Sequence, residues 1–97
     1  MLQEIIQTVE LSGKGETKKS AVASALNKIQ SKILKDSEDA ILRIEPLEIK
    51  SITISKKVTR EKFLFIFFPR DKEEYYVDLV ISVKIIKINI SDIKVEN

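Results

Sequence analysis

The chain is predicted to be α+β, of order β-α-β-β, with a three-stranded antiparallel sheet curled around one helix. Residues 73–85 alternate apolar and polar with a period of two, residues 18–35 repeat with a period near 3.6, and sixteen of the 97 residues are isoleucine. Branching at Cβ suits a pleated surface, so the isoleucines tilt the apolar half of the composition towards strands. Two glycines and two prolines leave little room for long loops. A chain this long reads as one domain, residues 1–97, whose core is modest in size.

The first strand is expected over residues 2–11, with Ile5, Val9 and Leu11 on one face and Glu4, Thr8 and Glu10 on the other. Ser12-Gly13-Lys14-Gly15 reads as a break, and Thr17 supplies an oxygen for a helix N-cap. From Lys18 to about Lys35, Val22, Ala25, Leu26, Ile29 and Ile33 recur at spacings of three and four, with Ala21 at the margin. Lys32 and Lys35 complement the negative end of that helix, and Asp36-Ser37-Glu38-Asp39 stops it. A second strand region covers 40–58, where the apolar parity changes between Ile44 and Leu47 and reverts at Ile52. A bulge or bend near Pro46 explains such a change, because proline cannot donate to a ladder and suits an edge.

The third strand, 73–90, carries Tyr75, Val77, Leu79, Ile81, Val83 and Ile85 on one face, then changes phase to Ile86, Ile88 and Ile90, which suggests another bulge. Ser91 to Asn97 read as a frayed end. Between the second and third strands lies an apolar insertion, Phe63-Leu64-Phe65-Ile66-Phe67-Phe68, flanked by Arg60, Lys62 and Arg70. It holds all four phenylalanines of the chain. Burying it is worth on the order of 10 kcal/mol, comparable with the whole net stability of a small domain.

Several function classes are set aside by composition. Without cysteine there is no disulfide framework, thiol nucleophile or thiolate metal site, and without histidine the usual general base near neutral pH is missing. A net charge of +2 with interspersed Lys and Glu describes a solubilising surface rather than a nucleic-acid footprint. The first residues lack the basic and apolar regions of a signal peptide, and no apolar run approaches the roughly 20 residues of a membrane span. A cytoplasmic protein is expected.

Length adds a physical constraint. A helix from Lys18 to Lys35 is about 27 Å long, whereas a straight strand from Glu73 to Ile90 reaches roughly 55–60 Å. One helix cannot cover that face, so either the strand bends around it or other copies of the chain cover its ends. Self-association is the expectation.

In layout, Val9-Glu10-Leu11-Ser12-Gly13, the Ala21/Ala25 helix and the two long strands resemble the dodecin fold. That resemblance implies packing into oligomers. Dodecins store flavins by stacking them on a tryptophan; this chain has no Trp, so flavin binding does not transfer and no cofactor is implied. In wording, Leu11-Ser12-Gly13-Lys14-Gly15, Leu42-Arg43-Ile44-Glu45-Pro46 and the stretch from Glu61 to Arg70 resemble an uncharacterised bacterial domain-of-unknown-function family. Its members are small cytoplasmic proteins encoded beside membrane proteins, and the resemblance supplies no mechanism.

Three segments are candidate sites. Gly13, Lys14, Gly15 and Thr17 lead into a helix whose first turn carries Lys18 and Lys19. Cations there oppose the macrodipole, and a bound anion would reverse that penalty; the plain alternative is a strand-to-helix connection with solvated lysines, since no Walker pattern is present. Phe63, Leu64, Phe65, Ile66, Phe67 and Phe68 suit the core, an oligomer interface, a membrane-associated partner or a hydrophobic ligand. Tyr75 and Tyr76 near Lys72 suit base stacking on an open sheet, but no RRM signature accompanies them. Glu45 and Glu48 have opposite parity around Pro46, which assigns them to different faces, and Asp36, Glu38 and Asp39 lack EF-hand spacing. The expectation is a non-enzymatic, self-associating binding or scaffold module that docks through residues 60–70. The alternative is a small-ligand binder or enzyme whose site forms between subunits.

Overall fold

Strand β1 (Leu2–Gly15) is followed by helices α1 (Lys18–Leu26) and α2 (Ile29–Asp36), then by the long strands β2 (Ala40–Glu61) and β3 (Arg70–Ile88). The computed structural model describes residues 1–61 and 70–96; Phe63–Phe68 lie outside them. The three strands form one antiparallel sheet in the order β1-β3-β2, so the last strand is central and the other two are edges. The fold is α+β, as the two periodicities predict.

β3 is central because its odd-numbered face is unbroken. Val77, Leu79, Ile81, Val83 and Ile85 are all buried, and Val9 and Leu11 of β1 join them from one side. From above, Ala21 and Ala25 of α1 and Ile33 of α2 close the core. Ala21 is therefore central to the contact rather than marginal, while Leu26 is exposed. Small side chains let α1 lie low on the sheet, where Leu would hold it off.

That low seat explains the glycines. Residues 12–15 do not break the strand: β1 runs through them, pairing Gly13 with Val77 and Gly15 with Tyr75. Neither glycine has a positive φ, so their value lies in the missing Cβ. On Gly13 a Cβ would collide with the backbone of Ala21 and lie 2.9 Å from the Ala25 Cα; on Gly15 it would meet Ser20 Oγ and lie 2.7 Å from the Ala21 amide nitrogen.

The helical layer falls where the periodicity puts it but is divided. α1 ends at Asn27, whose N–H still reaches the Ala23 carbonyl at 2.9 Å, and α2 restarts after Lys28. At the start of α1, Thr17 and Ser20 form a reciprocal cap: the Ser20 N–H donates to Thr17 Oγ1 at 3.0 Å, and the Thr17 N–H donates to Ser20 Oγ at 3.0 Å.

All register shifts lie between β2 and β3, and β1 pairs with β3 without one. Shifts between Ile41 and Arg43, Pro46 and Glu48, and Ile49 and Ser51 leave Leu42, Leu47 and Lys50 as extra residues on β2. The bulge expected near Pro46 is present on an edge strand. The one expected after Ile85 is not a bulge of β3: Ile86 and Ile88 continue its even-numbered face, and the compensating extra residue is on β2. After Ile88 the chain makes a short 3₁₀ turn, Ile90–Asp92, before its irregular end. The Asn89 N–H donates to the Met1 carbonyl at 3.1 Å and the Ile90 N–H to the Asp39 carboxylate at 3.1 Å, which ties this turn to the sheet.

Candidate functional site

Helix α1 packs over β1 and β3, and β2 is only partly covered, with Ile41 and Ile44 half-buried against the core. Among the described residues, not one of β2 is buried. Yet β2 is apolar on the helix side: Ile49, Ile52 and Ile54 pair with the buried Ile81, Leu79 and Val77 of β3. The three isoleucines are 51, 44 and 39% exposed. Because cross-strand partners share a face, the hydrophobic core continues sideways onto an uncovered stripe. Val58 extends it towards the end of the hairpin and is also exposed.

At its other end the stripe opens into a groove of about 460 Å³ between the α1–α2 junction and the bulged part of β2. Leu26, Ile29 and Leu34 form one wall; Ile41, Leu42, Ile44 and Pro46 form the other, with Asn27, Gln30 and Arg43 as its polar groups.

The molecule as a whole is long and thin, 72 × 33 × 14 Å, with a radius of gyration of 19.8 Å. A compact chain of this length has a radius near 12.5 Å. The accessible surface is 7690 Å², against roughly 5,650 Å² expected for a folded monomer of this mass.

The opposite face of the sheet is mixed, with Leu2, Ile6, Val80, Ile86 and Ile88 beside its polar residues. Glu45 and Glu48 both lie on it, opposite Lys84 and Ser82, because the extra residue Leu47 restores their common parity. Parity counted along the sequence had separated them. They are not a free carboxylate pair: Glu45 contacts Arg43 at 2.7 Å and Lys84 at 3.7 Å, and Glu48 contacts Lys50 at 3.1 Å.

The two tyrosines divide between the faces. Tyr75 packs on the core with Lys56 Nζ 5.7 Å from its ring centre. Lys56 also meets Glu73 at 3.0 Å, and this carboxylate, helped by the Tyr75 side, holds its ammonium above the ordinary lysine range. Tyr76 is exposed and donates its hydroxyl to Glu74 at 2.6 Å. That bond lowers the Glu74 carboxyl and raises the Tyr76 phenol, as expected when the charged acceptor is favoured.

In the acidic turn, Asp39 is already engaged by Lys87 at 2.8 Å and by the Ile90 N–H. The Lys87 hydrogen bond is the main cause that holds its carboxyl below the usual range. No three acidic side chains converge among the described residues.

Lys14 pairs with Tyr76 on the face away from the helices, while Gly13 and Gly15 face α1. Lys18 and Lys19 begin α1, beside a Thr17 hydroxyl already bonded to Ser20. The predicted anion-binding residues are thus divided between the two faces of the sheet, with Gly13, Gly15 and Thr17 committed to packing and capping.

Two features had little sequence signal. The Lys28 ammonium donates to the Ser12 carbonyl at 2.6 Å, and the Lys32 ammonium donates to the Glu10 carbonyl. Both carbonyls belong to the free edge of β1, so these lysines occupy hydrogen-bonding positions that another strand would use. Their i, i+4 spacing was a faint hint. The bare stripe was harder to foresee, since exposure of Ile49, Ile52 and Ile54 depends on where the helices sit.

This geometry defines a class: a small α+β module with one antiparallel sheet, a helical layer over part of it, and an apolar edge stripe left uncovered. The chain belongs to the domain-of-unknown-function family DUF4312, whose model matches residues 5–88, from early β1 to the end of β3. Comparison with curated proteins and with solved structures gives no match. No helix among the described residues is long and apolar enough to cross a membrane.

Proposed function

We propose that this chain is a non-enzymatic, self-associating binding or scaffold module that completes its core with other copies of itself. The supporting observation is its surplus surface: roughly 2,000 Å² more than a folded monomer of this mass should expose. A standard interface takes about 800 Å² from each partner. The β-α-β-β order and the long β2–β3 hairpin support a dodecin-like arrangement, in which such strands pack between copies. Residues 60–70, which carry the apolar run Phe63–Phe68 and its basic flanks, are the proposed docking segment for an oligomer, a protein partner or a membrane-associated complex. The proposal includes a cytoplasmic location, which the family resemblance implies.

Light scattering coupled to size exclusion tests it. The expected mass is a fixed multiple of 11.1 kDa; a single-copy mass at all concentrations overturns it. The groove beside Arg43 favours a second reading, a small-ligand site completed by a neighbouring copy. Its polar groups, Asn27, Gln30 and Arg43, are too few to enclose a ligand alone, so this reading also fails if the protein is a monomer.

A further inference from the structure

We infer that the helix-side stripe of β2, centred on Ile49, Ile52 and Ile54, packs against the same stripe of a second copy of this chain about a two-fold axis. The inference rests on the self-association proposed above and assigns it a surface.

The stripe is the direct lateral extension of the buried core, since each isoleucine is the cross-strand neighbour of a buried β3 residue. The surplus surface exceeds what one standard interface removes from each partner, so a second copy has enough area to bury.

The two sheet edges also differ. On β1, the Glu10 and Ser12 carbonyls are occupied by Lys32 and Lys28. On β2, residues 51–61 pair with β3 without a register shift and contain no proline. Along this stretch a neighbour meets neither bulge nor proline, since the extra residues and Pro46 all lie between Leu42 and Lys50. Charge does not oppose the contact: Lys56 is paired with Glu73, Lys50 with Glu48, and the net charge is only +2. Self-complementarity of one apolar patch is the defining property of a two-fold interface.

The test compares the full chain with the double variant Ile52→Lys, Ile54→Lys and with Ile6→Lys, which alters a residue 70% exposed on the opposite face. Wild type and Ile6→Lys are expected to keep the same multiple mass by light scattering. The double variant is expected to fall to the monomer mass with an unchanged far-ultraviolet circular dichroism spectrum. A folded double variant that keeps the wild-type mass overturns the stripe and leaves self-association standing; a monomeric wild type overturns both.

Should the double variant not fold, Ile52→Cys replaces it, the chain having no other cysteine. A short bismaleimide is expected to give a covalent dimer with Ile52→Cys and none with Ile6→Cys. Absence of the Ile52→Cys cross-link in a protein of multiple mass overturns the inference.

Discussion

Gly13 shows how one absent methyl group sets the height of a helix. Its Cβ position is already filled by the backbone of α1 at Ala21 and Ala25, and backbone cannot rotate away as a flexible side chain can. Gly13→Ala is expected to destabilise the chain by about 1–3 kcal/mol, as overpacking does, which lowers the melting temperature by several degrees. Thermal denaturation followed by circular dichroism, at matched protein concentration, checks this. An unchanged melting temperature would mean that α1 is free to lift. Reading Ser12–Gly15 as a break followed from the usual association of glycine with turns. Only the packed helix reveals that these glycines serve close approach inside a strand.

At the scale of elements, the two edge strands are treated differently. β2 is interrupted by three extra residues and a proline between Leu42 and Lys50, devices that make a strand a poor template for pairing. β1 is regular, and its exposed carbonyls are met by lysines reaching down from the helical layer. Replacing both lysines, Lys28→Ala with Lys32→Ala, is expected to leave the circular dichroism spectrum unchanged while raising concentration-dependent light scattering at neutral pH. Equal scattering by wild type and variant would show that the lysines do not guard the edge. The division of the predicted helix at Asn27-Lys28 belongs to this scale too. Nothing in those two residues forbids helix, and the restart brings Ile33 onto the core.

At the scale of the molecule, a chain 72 Å in its longest dimension carries a helical layer that covers only part of its sheet. If other copies cover the rest, folding and association are linked, and stability depends on protein concentration. The melting temperature is expected to rise by a few degrees for each tenfold increase in concentration. A melting temperature constant over a hundredfold range would indicate that one copy is self-sufficient. The length comparison between helix and strand, about 27 Å against roughly 55–60 Å, implies the same imbalance from the sequence.

What the sequence determined by itself was local and periodic: the α+β class, the inward face of β3 from Tyr75 to Ile85, the Thr17 cap, and a bulge near Pro46. These follow from side-chain geometry within a few residues, which a linear pattern records directly. The tertiary structure alone decided which strand lies at the centre, that β1 continues through its glycines, that Glu45 and Glu48 share a face, and that Ile49, Ile52 and Ile54 stand uncovered. Each of these depends on distant segments meeting: a bulge shifts parity only relative to a partner strand, and a residue is buried only where another element lands on it.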